Sequence, residues 1–223
     1  MSSNVRNAIR SVAVAALFSA VQAGAATART IAPIDRADAA VVFAEALERG
    51  LPRDGIVLVV DVSEQRASLV SLAGPLVAWP ISTAVAGTGN ASGSNRTPLG
   101  WHRVSERYGA GAVPGTRFVS RRPDGRVLAP SEWSQPTPAE DAVLSRIMWL
   151  DGLEPGLNRG PGIDSHERCI YVHGTNQEQL LGSPASHGCI RMSNAAVIRL
   201  FDLSDGAETF VLVRSAPSPA GGV

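Results

Sequence analysis

Lysine is missing altogether: all 20 basic side chains among the 223 residues are arginine. Without an ε-amine the chain can form no Schiff base and has no lysine general base, so covalent chemistry falls to cysteine, serine or threonine. Compositional bias in the genome accounts for that absence more cheaply than function does, yet the exclusion stands either way. Cysteine is scarce, with only Cys169 and Cys189, and no CxxC pair occurs. Net charge is also missing, since 20 acidic residues balance 20 basic ones. With the arginines scattered along the chain, nucleic acid is a poor candidate partner. Residues 87–90 and 93–95 are glycine-rich, but they lack the lysine of a phosphate loop and the glycine spacing of a dinucleotide fingerprint. They read as a surface turn, or as a loop bordering an active site.

What is present is one stretch that concentrates reactive groups. Tyr171-Val172-His173-Gly174-Thr175 is followed, after a short loop, by Ser186-His187-Gly188-Cys189-Ile190-Arg191-Met192. A nucleophilic cysteine needs an imidazole to take its proton and a backbone that can approach a carbonyl, and these residues supply both. Gly188 removes a side chain where the chain must turn tightly or admit substrate. Residues 193–203 lean apolar, with Ser193 or Asn194 able to cap a helix. Cys189 is therefore expected just ahead of a helix N-terminus, where the dipole and exposed N–H groups favour a thiolate. His173 is expected to close a strand running from Cys169 to Val172.

At the N-terminus, Arg6 and Arg10 precede a short apolar stretch, residues 12–21, and small residues follow. This is the pattern of a secretory signal peptide, with cleavage after Ala23 preferred to Ala26 or Ala28, and the apolar run is too short to span a bilayer comfortably. The remaining residues, close to 200, suffice for one domain with a sizeable core. Residues 35–49 carry Ala39, Val42, Phe43, Ala46 and Leu47 at helical spacing, ended by Gly50 and Pro52. From Gly55 the period changes to that of strands: 56–60, 67–72 and 76–85, the last tolerating Pro80 at an edge or bulge, in an antiparallel meander. Trp101 and His102 open a further strand as core or groove residues.

Residues 108–138 are rich in glycine, proline and arginine, with short strands expected at 116–120 and 126–129. Long, weakly periodic insertions are more often functional than idle, and Arg117, Arg121 and Arg122 could meet an anionic substrate, although a solvated turn explains any one of them. Residues 139–150 permit a helix capped by Thr137 with Pro138 at its first position, but the alternation of Val143, Ser145, Ile147 and Trp149 selects a strand. A loop at 151–162, a final strand at 208–213 and a polar tail at 215–223 complete the chain.

His173-Gly174-Thr175 ahead of Ser186-His187-Gly188-Cys189-Ile190-Arg191 resembles the active-site signature of the L,D-transpeptidases, also called the YkuD family. The likeness extends upstream to Thr97-Pro98-Leu99-Gly100 and to Met148-Trp149-Leu150, and covers roughly residues 55–213. It implies a mainly β fold with short helices and a partly closed sheet, in a domain at 55–214 preceded by a helical or linker segment at 24–54. It also implies that Cys189 attacks the carbonyl of the third residue of a peptidoglycan tetrapeptide stem, expelling D-alanine. His173 is then the base, with the Gly174 carbonyl holding its tautomer, and an amine resolves the thioester in a 3-3 cross-link. His187 and the N–H groups of Gly188 and Cys189 border the oxyanion, Ser186 positions the loop, and Arg191, Tyr171 and Thr175 meet substrate. Asparagine often stands in the family where this chain has Arg191, so that residue could instead brace the loop. The protein is expected in the periplasm or cell envelope, without cofactor or metal. No wall-binding repeat is visible, so recognition of the polymer must come from the catalytic domain or a partner.

Three other readings compete. Water as acceptor would make the site a carboxypeptidase or another Cys-His amidase. A zinc site could draw on His166, Cys169, His173, His187 and Cys189, although their spacings are loose. A non-catalytic wall-binding domain would have no use for a reactive cysteine. Export and an even cysteine count would suggest a disulfide. Were residues 169–173 one extended strand, however, Cys169 would lie roughly 13 Å from His173, at about 3.3 Å per residue, too far to pair with a cysteine beside that histidine. Cys169 is accordingly expected as a small buried hydrophobe.

Overall fold

A computed structural model describes residues 31–134 and 141–215. The expected signal peptide at 1–23, the capping residues Thr137 and Pro138, and nearly all of the polar tail lie outside them.

The helix α1 (Arg36–Glu48) starts where Asp35 accepts a hydrogen bond from the Asp38 N–H at 2.8 Å. That N-cap satisfies one of the donors a helix start leaves open. Its buried residues Ala39, Val42, Phe43 and Ala46 follow a spacing of three and four, which puts them on one face. They pack on Val57, Val59, Val70, Trp101 and Phe210.

Strand β1 (Ile56–Asp61) is buried throughout because its alternating side chains face two cores. Val57 and Val59 join the α1 side, while Ile56, Leu58 and Val60 join the larger core together with Ala196, Val197, Leu200 and Phe201 of α2 (Asn194–Leu203). The two helices therefore cover opposite faces of one sheet. A cluster of charges ties α1 to the sheet end: the Arg214 guanidinium donates to both carboxylate oxygens of Asp38, at 2.9 and 2.6 Å, and to fully buried Asp61 at 2.5 Å.

The remaining strands are β2 (Arg66–Ser71), β3 (Gly74–Pro80), β4 (Gly100–Tyr108), β5 (Thr116–Val119), β6 (Arg122–Val127), β7 (Val143–Gly152), β8 (Tyr171–Thr175), β9 (Ile190–Met192) and β10 (Thr209–Arg214). With β1 they form a ten-stranded sheet ordered β3-β2-β1-β10-β4-β7-β5-β6, with β8 beside β7 and β9 beside β8. The protein is thus mainly β with short helices, as expected. Antiparallel pairing holds for β1 to β3, whereas β1 pairs in parallel with β10, a partner about 150 residues away that no local pattern announces.

Three expected boundaries move. The third strand ends at Pro80 and does not reach residue 85, because beyond it Ser82 and Ala84 turn aside to bridge Arg191 and Ser186. These isolated bridges draw the chain toward β9 without a ladder that would close the sheet. The strand expected at 126–129 begins at Arg122, since Ser120 and Arg121 (φ +48° and +68°) form a two-residue turn that folds β6 straight back on β5. Cys169, expected in a strand, has φ +56° and precedes β8 in a turn.

Strand β7 organises the site. Leu144 pairs with both Arg117 and Gly174, and Ile147 with both Tyr108 and His173. Two partners for one residue must lie on opposite edges, so β8 takes one edge of β7 while β4 and β5 share the other.

Candidate active site

Strand β8 carries the histidine and β9 follows the cysteine, and the two pair in parallel with His173 opposite Arg191. His173 is 3% exposed, and its Nδ1 lies 2.8 Å from the Gly174 carbonyl oxygen. A carbonyl oxygen only accepts, so Nδ1 carries the proton and the Nε2 lone pair of the neutral ring is left to act as a base. Burial pushes the imidazole below its ordinary value, against the pull of the Gly174 carbonyl and of Asp141. Gly174 must be glycine because of close approach: a Cβ there would come 2.5 Å from Asn194 Oδ1 and 2.7 Å from the Leu144 carbonyl oxygen.

The cysteine loop hangs from the segment that follows β3. The Ser186 N–H donates to the Thr83 carbonyl at 2.9 Å, and the Arg191 N–H to that of Ser82 at 2.8 Å. Thr83 is itself locked to buried Gln65, which accepts its N–H and donates to its hydroxyl. Inside the loop, buried Ser186 positions both ends, its hydroxyl donating to the Cys189 carbonyl at 2.6 Å and accepting the Gly188 N–H at 3.2 Å. Gly188 has φ +133°, and a Cβ would press on Ile170 and on the Arg96 carbonyl. The Gly188 N–H expected at the oxyanion is therefore already engaged, whereas that of Cys189 meets no acceptor among the described residues.

Cys189 is half-buried. Its Sγ accepts the Tyr171 N–H at 3.4 Å and donates toward the Cys169 carbonyl at 3.5 Å, and no hydrogen bond joins it to His173. Burial pushes the thiol up to about 11, and the Tyr171 N–H opposes that only in part. This reverses the expected thiolate. The helix starts where expected, with Ser193 capping α2 by accepting the Ala196 N–H, but β9 stands between that cap and Cys189. A neutral thiol in the resting site needs a base to ionise it.

The other expected residues divide by depth. Tyr171 is half-buried at the surface of the site, and His187 is exposed with Nδ1 3.6 Å from Asp141 Oδ2. Thr175 and Arg191, expected to meet substrate, are 0% and 1% exposed and so closed off from solvent. Thr175 Oγ1 accepts the Gln177 N–H, and the Arg191 guanidinium is held by Asp141 and Gln177, so Arg191 braces the loop. Both cysteines are free, but Cys169 is exposed, and its backbone touches the Cys189 thiol. The separation expected along a strand does not hold.

Four contributors escaped the sequence reading. Asp141 is the carboxylate between Arg191 and His187. Buried Asn194 receives the Ser145 hydroxyl and donates to the Thr175 carbonyl and Glu178, pinning α2 to β7 and β8. Arg168 donates to the carbonyls of Gly89, Asn90 and Arg96, which makes the glycine-rich loop the border of the site. Trp149 is stacked by His166 at 3.9 Å and lies under the Arg121 guanidinium. Of these, Asn194, a polar residue opening an apolar helix, and Trp149, inside the Met148-Trp149-Leu150 likeness, left a signal in the sequence. His102, in contrast, is a core residue bonded to the Gly100 carbonyl and Ser165. Among the described residues no group of three His, Cys, Asp or Glu side chains is arranged to hold a metal ion.

Comparison with known proteins gives the arrangement a family. The model described as YkuD, L,D-transpeptidase catalytic domain, matches residues 55–213. No curated protein matches. Among solved structures, an L,D-transpeptidase from Mycobacterium smegmatis is 16% identical, with 72% of this chain and 58% of that chain covered and a TM-score of 0.42. One from Xylanimonas cellulosilytica is 22% identical, with 77% and 68% covered and a TM-score of 0.41. The catalytic domain from an E. faecium L,D-transpeptidase is 17% identical, with 72% and 98% covered and a TM-score of 0.43. The chain thus spans under two thirds of the mycobacterial protein's length. The family model covers well over half of the chain, so the chain belongs to the L,D-transpeptidase catalytic domain family.

Proposed function

We propose that this protein is a cysteine acyltransferase acting on peptidoglycan tetrapeptide stems. The observation that supports the reading is the parallel pairing of β8 with β9, His173 opposite Arg191 two residues after Cys189, together with the Gly174 carbonyl that leaves the His173 Nε2 free. In the reaction, Sγ leaves the Cys169 carbonyl and comes within about 3 Å of Nε2. His173 takes the thiol proton as Sγ attacks the carbonyl carbon of the third stem residue. The Cys189 N–H, with His187 at the rim, faces the developing oxyanion. Collapse breaks the amide C–N bond, His173 returns its proton to the departing amine of D-alanine, and a thioester remains. An incoming amine, as of a diaminopimelate side chain, then attacks the thioester. His173 takes its proton and returns it to the thiol, leaving a 3-3 cross-link.

Intact-mass spectrometry with a tetrapeptide or a carbapenem tests the acyl-enzyme. An adduct is expected on the wild type and none on Cys189→Ala, and an adduct on that variant would remove Cys189 from the mechanism. Products from a disaccharide-tetrapeptide separate transfer, which gives cross-linked dimer, from hydrolysis, which gives tripeptide alone. The same reading takes residues 1–23 as a cleaved leader and 55–214 as the catalytic domain, in the periplasm or cell envelope. The mass of the mature N-terminus checks the leader.

A further inference from the structure

We propose that Arg121 is a specificity-determining residue of this groove, its guanidinium taking a carboxylate of the bound peptide. Arginine is the only fixed cation available to this chain, and most arginines near the site are already spoken for. Arg117 is paired with Asp124, Arg191 with Asp141 and Arg103 with Asp151. Arg168 is wrapped by backbone carbonyls. Arg121 pairs with no carboxylate among the described residues. Its Nη1 donates to the Tyr171 hydroxyl at 3.0 Å, the Tyr108 hydroxyl also bears on it, and its Cζ lies 4.2 Å over the Trp149 ring. Glu106, whose charge Arg121 acts on, gives its oxygens to the Tyr108 hydroxyl and His166.

Three features make this a held position. Ser120 and Arg121 both sit in the left-handed region, a conformation that non-glycine residues adopt at a cost. That turn aims Arg121 from the hairpin tip onto the indole, where the cation is attracted to the ring face. Tyr171 then links the cation to the chemistry, since its hydroxyl accepts from Arg121 while its own N–H donates to the Cys189 Sγ. A guanidinium has five donors, more than two phenol hydroxyls engage, so the fork can still grip a carboxylate through two parallel bonds.

The inference rests on the peptide-stem reading and names the group that selects the stem. The carboxylate has two sources, the terminal carboxylate of the leaving residue and the side-chain carboxylate of the third residue. Binding is measured by calorimetry on the full chain carrying Cys189→Ala, so that no turnover intervenes, with a tetrapeptide stem and with two analogues in which one or the other carboxylate is an amide. Arg121→Gln in that background is expected to weaken the free-acid stem about 10- to 100-fold, the range for a charge-assisted pair. It should leave the affinity of one of the two amides unchanged, and that amide identifies the source. Arg121→Lys should recover only part of the loss. An equal loss for the acid and both amides means a structural role for Arg121 and overturns the proposal, as does an unchanged affinity for the acid. Absence of binding by any stem, with no acyl adduct on the wild type, overturns the function on which the proposal rests.

Discussion

Behind Cys189 and in front of it, the same residue type does opposite things. Arg191 is 1% exposed, sealed between Asp141 and Gln177 and bound into the strand that follows the nucleophile. Arg121 stands half-buried at the rim on a hairpin tip, with most of its donors open. A charge removed from water must be paired where it sits, and so is unavailable to a ligand, whereas a charge at the rim costs the fold little and stays free to bind. The interior of this site fixes geometry, and its rim selects.

The largest effect should come from the interior base. His173→Ala is expected to lower kcat/KM by about 10²- to 10⁴-fold. In the wild type the acid limb of the pH profile should fall below pH 6.5, because burial lowers the imidazole and the base works only when neutral. In the variant, residual activity should climb with pH toward the thiol value of about 11, since ionisation no longer has a base to assist it. A flat profile for the variant would show that His173 does not ionise the thiol.

Asp141→Asn should follow in size. It leaves the buried Arg191 charge without its counterion, a change that typically costs about 3–5 kcal/mol, read by urea unfolding. If Asp141→Asn unfolds no more easily than Arg121→Gln, expected within about 0.5 kcal/mol of wild type, the distinction between interior and rim fails.

His102 makes a pH-dependent contribution from the sheet itself. Burial lowers it to about 4, so between pH 6.5 and 4 the unfolded chain binds the proton that the folded chain refuses. Stability is full above pH 6.5 and falls as the pH drops toward 4, by about 3 kcal/mol in all. His102→Asn should flatten that dependence even if it lowers stability at neutral pH; an unchanged slope would assign it to other groups.

Gly174→Ala is the smallest of the interior changes, at about 1–3 kcal/mol, through the clash with Asn194 and the Leu144 carbonyl. Because the clash bears on the residue that fixes the His173 tautomer, activity should fall further than stability does. Proportional losses would make Gly174 a packing residue only.

The sequence by itself determined the element types and the candidate site. Apolar spacing of three and four marked α1, alternation marked β7 over the competing helix, and the order of His173, Gly174, Ser186, Gly188 and Cys189 marked the site, because these signals are carried by neighbours along the chain. The tertiary structure decided what depends on residues distant in sequence. The parallel pairing of β1 with β10 and of Asp141 with Arg191 each join segments that no local period connects. The positive φ of Cys169 took it out of the expected strand and set its carbonyl against the thiol. The direction in which Cys189 titrates reversed for the same reason: a helix-start pattern suggests a thiolate, but desolvation is a property of everything packed around the sulfur, and only the folded chain assembles that.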